Sequence, residues 1–428
     1  MSTEVLLADD PLYEELYDVR REAEAMGNFV DRDVTPDVHA LRAQAPVHRG
    51  NLRQLLGLEP AQRHVLALGK QHYSVLGFDA CEAALRDPKR FSSKVAGQPN
   101  ERNELSMSIL EMDGSLHRAY RRTIQPRFLL LEAVDWWRKK TVDSLIARLI
   151  ERLATKDRAE LNIDYAARIP VYTITTAIGL DGDDALTFRD AFVKSGGIRR
   201  NSIEVMREAA ATVERMLLEL IEARRHEPQD DLISFLLTNK LRVPGEEPRP
   251  LTDREIIHVA RLVMIAGGGT SWRQIGITLY ALFAHPEQFE AVKADRSLLE
   301  AAIEEGLRWS PTAPLFYRWI EQDTEFYGVE MKAGEILELG LGAANRDPSR
   351  WEAPDRFDIF RPRQTNLAFG MGTHRCLGMN VAKVEIELGI GALMDAFPKM
   401  RLDPDKEMPF LTGGLEQRGV SGLPVLLK

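Results

Sequence analysis

Phe369-Gly-Met-Gly-Thr-His-Arg-Cys-Leu-Gly378 is the ten-residue stretch on which the reading of this chain turns. Gly370 and Gly372 permit tight or left-handed backbone just ahead of the cysteine. Residues 379–397 read as a helix, so Cys376 lies near a helix N-terminus. There the free backbone N–H groups and the helix dipole favour a thiolate. The chain has one other cysteine, Cys81, and neither sits in a CxxC pair. That excludes a disulfide framework and a tetrahedral zinc site built on thiolates. A single axial metal ligand and a nucleophile both remain open.

Outward from this loop, helical periodicity dominates. Apolar residues recur at three- and four-residue spacing from Thr141 to Leu153 and from Val213 to Ile221, and Ile256–Phe283 is long and largely apolar. Thr252 followed by Asp253 and Glu255 predicts the start of that helix, and His285-Pro286 its stop. Strand-like pieces are short: Tyr73–Phe78, Phe326–Val329 and Ile336–Leu341, the last preceded by a turn at Gly334. No repeat, low-complexity tract or linker divides the 428 residues, so they read as a single domain, 1–428, mainly α with a small β lobe. Net charge is −9, from 56 Lys and Arg against 65 Asp and Glu. This balance argues against a general nucleic-acid binder. The acidic N-terminus lacks a signal-like apolar core, and no window of about 18 apolar residues occurs. A cytoplasmic protein without a membrane anchor is expected.

An anionic sulfur in a Gly-rich loop, flanked by His374 and Arg375, suits ligation of a haem iron. A thiolate ligand pushes electron density onto iron and favours O–O cleavage, and the haem propionates need cationic or hydrogen-bonding partners. A lone cysteine would more simply be core. The full pattern, however, resembles the FGxGxHxCxG haem-binding signature of the cytochromes P-450, with every defining position present. The resemblance runs from Leu41-Arg-Ala-Gln-Ala-Pro46 to Gly422-Leu-Pro-Val425. It implies the cytochrome P-450 fold, a triangular helical prism with a long central I helix over haem b. It also implies Cys376 as the thiolate ligand to iron and O2 as co-substrate.

Further motifs carry the same resemblance. Glu305-Gly-Leu-Arg308 matches the family's ExxR and Pro354-Asp-Arg-Phe357 its PxRF. These imply a structural ion network of Glu305, Arg308 and Arg356, although a solvated surface pair is the plainer reading of Glu and Arg three apart. His117-Arg-Ala-Tyr-Arg121 resembles HxxxR. With Arg318 and His374 it would hold the propionates, while Phe369, Gly370 and Ala266 would border the haem. Three consecutive glycines in Ala266-Gly-Gly-Gly-Thr-Ser271 are costly within a helix, at about 0.8–1.0 kcal/mol each relative to Ala. Close approach to haem and O2 is one reason for them, and a break between two shorter helices is the alternative. The segment resembles the oxygen-activating AGx(D/E)T motif. Thr270 matches the threonine that aids proton delivery, but Gly269 stands where the family has an acid. Water, Ser271 or a substrate group would then carry the proton. Arg273 reads either as a packed arginine or as a contact for an acidic substrate or water chain.

By the same resemblance Ile109, Leu110, Leu262, Ile265, Ala266, Pro314, Phe316 and Leu415 face a hydrophobic substrate, and Val95–Met107 forms a lid. Neither a flavin segment nor GxGxxG is present, so electrons would come from NAD(P)H through a separate ferredoxin reductase and a 2Fe-2S or similar ferredoxin. Arg118, Arg122 and Arg375 are the expected docking contacts of a monomer. The function implied is a monooxygenase acting on a terpene, steroid, fatty acid or aromatic compound. The missing acid keeps open a peroxygenase, coupling or rearrangement enzyme. A haem-based gas sensor would need an output domain, for which no sequence is left.

Overall fold

The structure is a computed structural model and describes residues 17–60, 69–94, 109–129, 131–180, 182–195 and 202–428. The Val95–Met107 segment lies outside the described residues. The helices used below are α1 (Val19–Ala25), α2 (Thr35–Gln44), α3 (Gly114–Ile124), α4 (Arg168–Ile178), α5 (Ile203–His226), α6 (Asp253–Ala284), α7 (Leu299–Trp309) and α8 (Met379–Ala396). The strands are β1 (Val47–Arg49), β2 (His72–Val75), β3 (Phe91–Ser92), β4 (Leu315–Ile320), β5 (Ile336–Gly340), β6 (Leu411–Gly413) and β7 (Arg418–Val420).

α6 is the axis of the molecule. A capping box starts it: the Glu255 N–H donates to Thr252 Oγ1 at 3.3 Å, and the Thr252 N–H to Glu255 Oε2 at 2.7 Å. It runs unbroken through Gly267-Gly-Gly269 to Ala284, with His285 as C-cap. The triple glycine is therefore not a break. At Gly267 the reason is helix packing, because a Cβ there would lie 2.4 Å from Ile174 Cδ1 on α4. α4, α7 and α8 all pack against α6 and enclose the main helical core, which includes Trp272, Ile275, Leu279, Ile386 and Ile390.

The β lobe is a five-stranded sheet in the order β1-β2-β5-β4-β3. Only the β5–β2 pair is parallel. β6 and β7 form a separate hairpin. Two strand expectations change. Tyr73–Phe78 stops at Val75, because Phe78 opens a helix whose first N–H is taken by Asp347. Phe326–Val329 is not a strand but a turn. Tyr327 and Gly328, both at positive φ, join strands Thr324–Phe326 and Val329–Met331, and a Gly at the second turn position makes that geometry cheap. No helix among the described residues is long and apolar enough to cross a membrane.

Candidate active site

The cysteine loop is held from both sides. The Cys376 N–H donates to Phe369 O at 2.9 Å, and the Arg375 N–H to Gly372 O at 3.2 Å. Gly370 and Gly372 take φ of +64° and +73°. Gly372 has a second constraint, since a Cβ there would lie 2.4 Å from the Leu85 carbonyl oxygen. α8 starts three residues after the cysteine. Burial pushes the Cys376 thiol up, while the Gly378 and Met379 N–H groups and Arg121 and Arg375 pull the other way. The helix terminus acts as expected, but desolvation outweighs it. A cation at the sulfur would supply the compensating charge. Cys81 differs: it is fully buried in the β-lobe core and its thiol bonds Val75 O.

Beside the loop, the His117 and His374 rings stack at 4.1 Å. His374 Nε2 lies 3.0 Å from Asp113 Oδ1. His117 Nε2 is buried with no partner among the described residues. Desolvation, with His374 and Arg121 adding to it, pulls His117 down to about 4, so it is neutral at pH 7. Arg121 donates to Arg375 O at 2.6 Å, and Arg318 donates to the neighbouring Tyr317 O at 2.8 Å. Neither arginine has a carboxylate within ion-pair distance among the described residues. Arg121 acts on the Cys376 thiol, and Arg318 and His117 both lie near Asp113; two cations without an ion pair and an orphaned imidazole nitrogen fit a haem with two propionates.

α6 has one open face among the described residues. Ile265 and Ala266 are exposed and Gly269 and Thr270 half-buried, in a helix whose following turns are buried. The spacing i, i+1, i+4, i+5 places these four on one side. Thr270 Oγ1 donates to Ala266 O at 2.9 Å. Phe316 and Leu110 are also exposed apolar side chains. Phe316 and Arg318 share one face of β4 by the two-residue strand period.

Several expected neighbours lie elsewhere. Ile109 and Leu262 are buried in the core with Tyr120 and Val259. Leu415 packs with Val30, Val34, Leu52 and Leu315 behind β4, and Pro314 lines a separate cavity with it. Arg273 lies against the Gly269 end of the open turn, with its Nη1 3.2 Å from where a Gly269 Cβ would be. It is buried, donates to Gly269 O, and pairs with Glu22 on α1.

The ion network also needs one correction. Glu305 and Arg308 are buried and doubly bonded at 2.7 and 2.8 Å, and Arg308 further donates to Asn345 O and Pro354 O. Arg356, however, contributes only its carbonyl, at 3.1 Å. Its side chain is 67 % exposed. The third charged partner is Arg361, 3.4 Å from Glu305 Oε1. The chain turns at Ala353, which has positive φ and accepts the Arg356 N–H at 3.1 Å.

One residue of interest was missed. Glu385, on α8, is buried beside the Ser271 and Thr173 hydroxyls. Burial pushes its carboxyl up to about 7, with the two hydroxyls opposing. Its signal was available: Val381, Glu385, Gly389 and Leu393 repeat at four, so the acid interrupts an apolar stripe.

The Cytochrome P450 family model matches residues 185–415, more than half of the chain. Pentalenic acid synthase from Streptomyces avermitilis is 31% identical over 377 residues, covering 86% of this chain and 91% of that protein. Vitamin D3 dihydroxylase from Streptomyces griseolus is 30% identical, covering 92% and 97%. Among solved structures, the hydroxylase HmtN of himastatin biosynthesis superposes with a TM-score of 0.74 at 27% identity, covering 91% of this chain and 96% of its own. The chain therefore belongs to the cytochrome P-450 family of haem-thiolate monooxygenases.

Proposed function

We propose that the chain inserts one atom of O2 into a hydrophobic terpene, steroid, fatty acid or aromatic compound, with electrons from NAD(P)H delivered by a ferredoxin reductase and a 2Fe-2S or similar ferredoxin. The open turn of α6 carries this reading. It presents Ile265 and Ala266 beside the Thr270 hydroxyl, and apolar contacts of that kind bind a hydrophobic body and exclude water. Cys376 would hold the iron through its thiolate. His117, Arg121, Arg318 and His374 would hold the propionates, with Phe369, Gly370 and Ala266 at the ring. When bound, the haem supplies the oxygen and electron chemistry. Arg118, Arg122 and Arg375 are exposed and suit an acidic electron donor.

The proton falls to this chain's own groups. Gly269 has no acid, but Glu385 stands behind the next residue but one. A carboxyl at about 7 holds a proton for part of the population at neutral pH and can pass it to Ser271. Thr270 Oγ1 then positions it at the open face. This supply favours use of O2 over the peroxygenase, coupling or rearrangement reading that Gly269 suggests.

The test is turnover under 18O2 with a compound that gives a low-to-high-spin shift in the ferric protein. Label in the product supports the proposal; unlabelled product, or product formed with peroxide alone, favours the second reading. Thr270→Ala should raise peroxide released per NADH consumed.

A further inference from the structure

A cavity of about 460 Å³ lies behind β4, between the α2 region, the end of α7 and the β6–β7 hairpin. Its lining includes no residue of the cysteine loop and none of the open turn of α6. Leu315 lines it, whereas Phe316 and Arg318 alternate to the other side of the strand. One strand thickness therefore separates it from the candidate active site.

The walls are largely apolar, with Val34, Val38, Trp309 and Pro314 among them. Its charged residues are mostly committed. Arg32 pairs with Asp37 and donates to Leu56 O. Arg346 donates to Trp309 O and pairs with Asp355, which also lies 3.3 Å from His39. Asp33 accepts the Thr35 N–H, and Asp31 and Asp33 are exposed, at the rim.

Arg418 is different. Its backbone is fixed on both sides, the N–H donating to Thr312 O and the carbonyl accepting from Thr312 Oγ1, each at 2.9 Å. The Asp33 carboxylate acts on its charge, but its guanidinium has no hydrogen-bond acceptor among the described residues, and its Nε is buried without a partner. A planar guanidinium on a rigid hairpin, at the wall of an apolar cavity, is matched by a carboxylate.

We propose that this cavity is a second small-molecule site, which takes an amphipathic monocarboxylate with its head group on Arg418 and its apolar body against Val34, Val38, Trp309 and Pro314. The volume falls in the range of small-ligand pockets, about 300–1,000 Å³. The rim aspartates disfavour a second negative charge. A ligand seated here would touch the back of the strand that carries Phe316 and Arg318.

Calorimetric titration of the haem-loaded protein with decanoate tests this, with 4-phenylimidazole saturating the iron so that the catalytic cleft is filled. One decanoate should bind per chain. Arg418→Gln should weaken it about ten- to a hundredfold, the range for a lost charge-assisted hydrogen bond, and should leave binding of 1-decanol unchanged. Val38→Trp, on a half-buried helix position, fills the cavity and should abolish binding of both, which keeps the test intact if Arg418→Gln fails to fold. No binding with the iron blocked, decanoate affinity indifferent to Arg418→Gln in a folded protein, or binding that survives Val38→Trp would each overturn the proposal.

Discussion

Replacing Glu385 by Gln should make the protein more stable at pH 8 and change it much less at pH 5. The carboxyl is 3 % exposed and faces hydroxyls. Burial raises it from its ordinary 4.5 to about 7. Below pH 4.5 both folded and unfolded chains carry the proton, and the residue costs nothing. Between 4.5 and 7 only the folded chain keeps it, so stability falls as pH rises. Above 7 the buried carboxylate costs its full amount. Two and a half units at about 1.36 kcal/mol each make that cost roughly 3 kcal/mol. Glutamine keeps the shape and an acceptor for Ser271 without the charge. Urea midpoints of the haem-loaded variant and parent at pH 5 and pH 8 measure the difference. A gain at pH 8 that shrinks to about a quarter at pH 5 is expected. An equal effect at both values would refute the burial argument. The same variant removes the proposed proton holder, so peroxide release per NADH should rise and its dependence on pH near 7 should flatten.

Cys376→Ala should abolish the thiolate signature of the reduced carbon-monoxide complex, whereas Cys81→Ala should keep it and cost only core packing, read from the same spectrum and a denaturant midpoint. Gly372→Ala meets both a positive φ and the Leu85 carbonyl; strain of about 1–3 kcal/mol should appear as lower haem occupancy at equal expression. Arg308→Met leaves the buried Glu305 with only the longer Arg361 contact for its charge, and should destabilise by about 3 kcal/mol. Arg356→Ala, with an exposed side chain, should stay within about 0.5 kcal/mol of the parent, while Arg361→Ala should cost measurably more. Denaturant midpoints of the three variants rank them.

The ten residues around Cys376 carried the family, because a loop that needs two glycines at positive φ and one cysteine is written in adjacent positions. The long helix was equally legible, since its capping box, period and terminal His285-Pro286 are local. Local signals failed where a contact crosses the chain. Arg356 and Arg361 both follow the ExxR helix at plausible distance, and only the folded chain brings Arg361 to Glu305 and leaves the Arg356 side chain exposed. Pro314 and Leu415 sit on expected elements, yet the chain just ahead of β4 and the packing of the hairpin place them at the cavity behind the strand. Gly267 looked like room for a cofactor, and α4 fills that space with Ile174. Glu385 is one of three charged residues between Val381 and Leu388, and burial against α6 singles it out. The residue types and their spacing thus specified the chemistry, because ligand loops and helix caps are built from neighbours in sequence. Which charges are buried, and which cations lack partners, was decided by tertiary packing, because desolvation depends on what the rest of the chain places around each group.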